Sequence, residues 1–555
     1  MRTDRLTGIP SISGLPPVEE FTPAEEAALR PYVTNLDGPV FALVNLPEVV
    51  KGALFARYSR SSKSLRRLIL DEFMDDLPST ACPQQAGHRH AEALYDKVFA
   101  HYGDDSVAQL GGVHMACEGV SNILTKVLER GRLMSYLEQS TRYVPYSDKV
   151  DGHWKYHTPA ELNEDIRRRY REVLDNAFAT YERWLNPMQA YYQKRHPRPK
   201  ETSLSSYRRA IRAKALDALR GLLPAATRSN LGIFGTGQAY EMLLLRMRAS
   251  TASETRSFAD MMLRELRKVI PSFMTRVDQS DRGLVWSDYL TKCKKDTETL
   301  ACELLHGEAA EASPEVTLTD FDPDGELRVL AAALYSSSSL SDAQLLSCAK
   351  QMSAAKRACA LAAYVGNRKN RRHRPGRAFE RTRYRFDVLS DYGAFRDLQR
   401  HRMLTIEWQP LSPSHGFIVT DAINEAGAID DWRRVMHESA DLYNALLSQG
   451  YREAAPYVVS MAYRIRFYMD MNAREAMHVI ELRTSPQGHP SYRRVCQQMH
   501  RLIAEQAGHR AIAAAMVFAN HEPVDLERLE AEKAAEARAT LSGLSRDDCR
   551  RTQGL

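Results

Sequence analysis

The chain repeats itself, and this limits its architecture more than any other feature. An apolar run followed by Tyr-Ser and a Ser-rich turn occurs at 54–65 (LFARYSRSSKSL) and again at 333–345 (ALYSSSSLSDAQL). Arg130-Gly131-Arg132 is matched by Arg400-His401-Arg402, Arg220 before Pro224 by Arg452 before Pro456, and Leu245-Arg246 by Leu482-Arg483. These last three pairs keep their order at separations of 270, 232 and 237 positions. Single matches of this kind arise by chance, but an ordered series points to a diverged tandem duplication. The 555 residues therefore divide into two copies of one unit rather than three or four unrelated domains.

Most segments read as helix. Residues 207–223 place Ile211, Ala215, Leu219 and Leu222 on one stripe, and 494–506 and 524–541 are similar. The best strand candidate is 382–388 (TRYRFDV). Loops are expected at 144–159, 195–206, 306–326 and 410–417. The acidic, Pro- and Gly-containing stretch 306–326 is the expected linker. It separates an N-terminal unit over 1–305 from a C-terminal unit over 327–521, with a charged helical tail over 522–555.

Composition excludes several classes. The 76 Lys+Arg against 70 Asp+Glu leave +6, too little for a global nucleic-acid or membrane field. The apolar stretch 511–519 is far short of a membrane span, and the first twenty residues carry no hydrophobic signal core, so a cytoplasmic protein is expected. Eight cysteines form no CxxC pair, which argues against a disulfide scaffold or zinc cluster. His114, Glu118 and His478 lack ligand spacing, so no metal is expected. The one Cys-Pro pair, Cys82-Pro83, has no His beside it, and no GxGxxG follows a strand.

Residues 130–143 read RGRLMSYLEQSTRY. Glu138 and Arg142 would share a helical face as a plain surface pair, or Ser140 and Arg142 would donate to a phosphate while Glu138 accepts from a base or ribose. This segment resembles the signature RHRxxSxNExSxRY of flavin-dependent thymidylate synthases. Arg130, Arg132, Ser135, Glu138, Ser140, Arg142 and Tyr143 fall on that pattern, while Gly131 replaces its His and Leu137 its Asn. The second copy keeps Arg400-His401-Arg402, but Trp408, Pro410 and Ser412 stand where Glu, Ser and Arg belong. Val127 and Asp397 replace the Gln that precedes the tripeptide.

The resemblance implies further roles. Asn472-Ala473-Arg474, His478 and Leu482-Arg483 are similar to the family's flavin-holding helix, and Glu380 stands where a flavin-contacting Glu would be. The first copy has Gly235 and Gly237 in place of that Asn and Arg but keeps Arg246. Arg220 and Arg452 resemble a phosphate-contacting arginine. The implied fold is α+β, helix-rich, with a helix-packed sheet in each of two tandem units. The implied reaction is C5 methylation of dUMP using FAD, NADPH and methylenetetrahydrofolate. Arg483 or Arg246 would stabilise charge on the uracil. Arg400, His401, Arg402, Glu380, Asn472, Arg474 and His478 would hold flavin. Arg130, Arg132, Glu138, Ser140, Arg142, Arg220 and Arg452 would hold nucleotide.

Because the losses in the two copies complement each other, a composite site is expected, with the 138–143 loop of one copy facing the 472–483 segment of the other. Pairing of two chains as a homodimer would rebuild a four-unit assembly. Alternative readings are methylation of UMP or another pyrimidine, a flavin- or nucleotide-binding protein without catalysis, and nucleic-acid binding through 368–385, which holds nine Lys/Arg with Phe379 and Tyr384.

Overall fold

The computed structural model describes residues 19–37, 41–58, 63–74 and 109–541. Cys82, Cys549, the Ser-rich turn after Tyr58 and the end of the tail lie largely or wholly outside the described residues. The chain forms two compact units. The first comprises 1–116, 133–135 and 232–304, and the second 117–132, 136–231 and 305–555. Compactness thus divides the chain differently from the repeat, because the second unit holds most of the C-terminal copy together with the middle of the N-terminal one.

In the first unit, Thr22 caps the helix Pro23–Leu29 with a reciprocal Glu25 contact. Three longer helices follow, Gly237–Arg248, Ser253–Val269 and Gly283–Leu304. Leu243 and Leu244 on the first of these and Leu263 and Leu266 on the second are buried, as is Phe273 in the short 3₁₀ helix Pro271–Asp278, whereas the third is mostly exposed. Three strands, β1 (Gly112–Ser121), β2 (Met134–Glu138) and β3 (Arg228–Thr236), form a sheet in the order β1-β3-β2.

The second unit is built on a four-stranded antiparallel sheet. Its strands are β4 (Val316–Phe321), β5 (Arg383–Asp391), β6 (Thr405–Trp408) and β7 (Arg464–Asn472), in the order β4-β5-β7-β6. Tyr384, Phe386 and Val388 on β5 and Ile465, Phe467, Met469 and Met471 on β7 alternate into the core, as the two-residue period requires. Arg383 lies opposite Asn472 and Asp391 opposite Arg464, so both ends of these strands are fixed in register. The long helix Glu164–Arg195 adds Tyr170, Phe178 and Tyr181 to the same core.

The strand expected at 382–388 is therefore present, as part of β5. The expected linker is only partly a linker. Residues 306–315 are mostly exposed, but 316–321 form β4, with Val316 and Leu318 buried against β5. Its Val-Thr-Leu-Thr alternation was masked by acidic and Pro/Gly neighbours. The tail is not simply solvated either. Its helix Leu529–Leu541 sits against the helix Leu204–Leu219, where Glu532 binds Arg209 at 2.7 Å and Glu527 binds Lys214.

Inside the second unit the two copies meet through matching segments. The strip after Arg220 pairs with the strip after Arg452: Ala225 N–H donates to Val459 O at 2.9 Å, Ala226 N–H to Tyr457 O at 2.7 Å, and Met461 N–H to Leu223 O at 2.9 Å. Equivalent segments running antiparallel against each other are what a local pseudo-twofold produces.

Candidate functional site

The site begins at two buried helix starts of the C-terminal copy. The helix Tyr392–Gln399 is capped by Asp391 and ends at Arg400, which places Arg400 one turn beyond Arg396 and Asp397 on the same side. The helix Ala473–Arg483 begins at Asn472, whose side chain accepts from Glu475 N–H at 2.9 Å, and ends at Arg483. Asn472 is thus a helix cap, and its amide NH₂ is left for a ligand.

Onto this frame the N-terminal copy lays its 138–142 loop. Arg396 donates to Glu138 at 2.7 Å, Arg400 lies 3.6 Å from it, and Lys126 lies 3.4 Å away. Glu138 is 8% exposed; burial opposes its charge, but Arg396 and the other cations outweigh burial and hold the carboxyl below its usual range. Ser140 Oγ accepts from Arg142 N–H at 3.2 Å. Arg142 grips Asp217 with Nε and Nη2 at 2.6–2.8 Å and donates Nη1 to Gln487 O at 3.1 Å.

Asp397 completes the cluster. Its carboxylate meets Arg400, Arg220 at 3.5 Å and Arg483 at 3.8 Å. Burial alone would raise its pKa, yet these arginines hold it well below the ordinary range. Glu138, Ser140, Arg142, Arg220, Asp397 and Arg400 thus surround one space of about 40 Å³, room for a few waters. A phosphate entering there must take the guanidinium contacts now made by Asp217 and Asp397.

Arg483 links this cluster to a second one. Its Nε donates to His401 Nε2 at 2.9 Å and its Nη2 to Asp397 O. His401 therefore carries its proton on Nδ1, which lies 3.6 Å from Glu475. Burial, reinforced by Arg483, keeps His401 neutral, and burial raises Glu475 to about 7. His478 stacks edge-on against His401 and contacts Arg374 at 2.9 Å; burial and that arginine lower it to about 4. Ligand atoms of His401, Glu475 and His478 come within 4.8 Å of one another, a grouping that spacing did not reveal. Arg374, Arg402 and Arg474 around Glu475 make the region cationic, which suits an anion rather than a metal dication.

The remaining expected residues have their own partners. Arg474 donates to Pro375 O at 3.0 Å and lies 3.5 Å from Glu380, which also pairs with Arg377. Arg130 contacts Glu407 and lies over the Trp408 ring, and Arg132 donates to Leu404 O and Thr405. These two arginines therefore hold β6 instead of joining Glu138. The exchange is reciprocal, since Arg400 of the second copy meets the loop of the first. Arg452 is exposed in a turn, and Arg246 belongs to the first compact unit.

In the basic stretch, Arg368 is buried on Glu481 at 2.6 Å and Arg383 pairs with Asp470, so part of its charge is structural. Sequence reasoning missed Asp217 and Arg396, which looked like ordinary helix charges; only packing reveals them as the partners of Arg142 and Glu138.

The first copy keeps the matching helix, Gly237–Arg248, but its start is crowded where the flavin-holding side chains would stand. A Cβ on Gly237 would stand 2.9 Å from Phe273, and one on Gly235 2.6 Å from Met134. Side chains fill the place where the second copy presents Asn472 and Arg474.

The chain is 38% identical over 522 residues to a UPF0159 protein of Chlamydia pneumoniae, covering 93% of this chain and 98% of the relative. It is 30% identical over 175 residues to the flavin-dependent thymidylate synthase of Clostridium tetani, covering 31% of this chain and 64% of that enzyme. The crystal structure of a UMP/dUMP methylase from Streptomyces cacaoi, bound with 5-Br dUMP, is similar over 37% of this chain and 96% of its own, at 20% identity and a TM-score of 0.29. The thymidylate synthase complementing protein family matches residues 52–272 and again 317–508, once over each copy, and the chain belongs to that family.

Proposed function

We propose that the chain methylates C5 of a pyrimidine nucleotide, dUMP to dTMP, using FAD with NADPH and methylenetetrahydrofolate, at a composite site between its two copies. The observation that carries this reading is the convergence of Glu138, Ser140, Arg142 and Arg220 from one copy with Asp397, Arg400 and Arg483 from the other. Several guanidiniums aimed at one point form a phosphate seat in kind, since Arg offers planar paired donors.

The donor set also fits a flavin. Arg374, Arg402 and Arg474 stand near the capped start of the Ala473–Arg483 helix, where a pyrophosphate is favoured by both charge and helix dipole. Bound FAD would supply the hydride for the methyl group. The chain's own residues bind and orient. Arg142, Arg220 and Arg400 hold the phosphate once it displaces Asp217 and Asp397. Arg483, fixed by His401 and the Asp397 carbonyl, stabilises negative charge on the uracil oxygen as C5 becomes nucleophilic. Neutral His401 keeps a lone pair on Nε2 for Arg483, so that guanidinium stays in one orientation. Two chains would pair as a homodimer.

The test is direct. Purified protein should show a flavin absorbance band that NADPH bleaches, and should release tritium from [5-³H]dUMP in the presence of methylenetetrahydrofolate. Release from labelled UMP instead moves the reading to a ribonucleotide substrate. A colourless protein that takes up no FAD refutes the proposal.

A further inference from the structure

Behind Arg220, away from the Glu138 loop, the second unit holds a cavity of about 550 Å³. This is within the usual size range of small-molecule sites, roughly 300–1,000 Å³. Aromatic rings of Tyr192, Phe417 and Trp432 contribute to its wall. Three buried polar atoms on residues lining it have no hydrogen-bond partner among the described residues: Arg220 Nη2, Asp391 Oδ2 and Thr420 Oγ1. Arg220 is 4% exposed and Asp391 3%.

Orphans of this kind are costly. Each buried, unsatisfied donor or acceptor costs about 1–3 kcal/mol, more when charged, and a native fold keeps few of them. Neither side chain is free to turn away. Asp391 Oδ1 caps the Tyr392–Gln399 helix by accepting from Ala394 N–H at 2.9 Å, and Ser491 lies beside the carboxylate, so Oδ2 is fixed in place. Arg220 passes over Gly393, where a Cβ would stand 2.9 Å from Nε and 3.0 Å from Nη2. The missing side chain at 393 leaves the guanidinium its seat. His489, also lining the cavity, accepts from Ser491 N–H at Nδ1 and so presents Nε2–H.

A donor and an acceptor held on one wall, among aromatic faces, match a planar ring that carries C=O beside N–H. We propose that this cavity binds a neutral lactam-edged heterocycle of the nucleobase type, its carbonyl accepting from Arg220 and its ring N–H donating to Asp391, with the ring stacked among Trp432 and Phe417. The assignment is independent of the flavin reading and adds a site beside the Glu138–Arg400 cluster, with which it shares Arg220: Nη1 lies 3.5 Å from Asp397, while Nη2 is the atom left for the cavity.

Calorimetric titration of the full-length protein tests it with three probes. Uridine and guanosine carry the lactam edge on a pyrimidine and a purine, while 3-methyluridine lacks the N–H that Asp391 would accept. One or both of the first two should bind, and 3-methyluridine at least tenfold more weakly than uridine if the pyrimidine is the occupant. Asp391→Asn keeps the helix cap but replaces the acceptor with an amide, and should weaken binding at least tenfold. Thr420→Val is near-isosteric, so it preserves the fold; it should weaken binding by about threefold. Absence of binding by both lactam probes, or binding unchanged in both variants, overturns the assignment. Flavin uptake and C5 tritium release are separate readouts, so either reading can fail alone.

Discussion

Removing one carboxylate should expose the arginine cluster's dependence on an anion. Asp397→Asn preserves shape and one carbonyl acceptor but removes the charge facing Arg400, Arg220 at 3.5 Å and Arg483 at 3.8 Å. At an effective dielectric near 20, each unit-charge pair at such distances contributes roughly 4 kcal/mol before desolvation is subtracted. Breaking a buried pair by removing one partner costs about 3–5 kcal/mol, because the other charge stays buried and unpaired. That is a large part of a native stability of about 5–15 kcal/mol. Urea unfolding of the variant should therefore show a midpoint lowered by a corresponding amount. Inorganic phosphate should then restore stability, by about 1.4 kcal/mol when it is present at ten times its Kd, and should stabilise the wild type less. A loss under about 1 kcal/mol, together with no difference in phosphate response, would falsify the view that Asp397 occupies the anion seat.

Other consequences follow from the same geometry. Arg142→Lys loses the paired contact with Asp217 and should raise the KM for the nucleotide by tenfold or more while leaving the far-UV circular dichroism unchanged. Glu138, Asp217 and Asp397 have folded-state pKa values below their unfolded ones because arginines and Lys126 outweigh burial. Their stabilisation is present above about pH 4 and is lost as pH falls through the folded values, so chemical denaturation at pH 3 should give a markedly lower midpoint than at pH 7. Gly237→Arg, which restores the family residue type near the first-copy helix start, should destabilise by about 1–3 kcal/mol in thermal unfolding, since its Cβ meets Phe273. His401→Phe removes the acceptor for Arg483 Nε and should lower kcat more than it raises KM.

The sequence by itself determined the duplication, the family signature and the strand at 382–388, because these depend on local order and periodicity. It also showed that each copy had lost what the other kept. It did not reveal β4, whose four-residue alternation is too short to stand out among acidic neighbours and gains meaning only from its pairing with β5. It could not show that Arg130 and Arg132 meet Glu407 and Thr405, which tertiary packing decides because the copies exchange loops across a pseudo-twofold. Which carboxylate answers which arginine was likewise a tertiary decision. Asp217 lies 75 positions from Arg142, and Glu138 lies 258 from Arg396, so no window of sequence holds both partners. Burial made those pairings obligatory: a guanidinium taken out of water needs a counter-charge within a few ångströms, and only the folded chain decides which one is there.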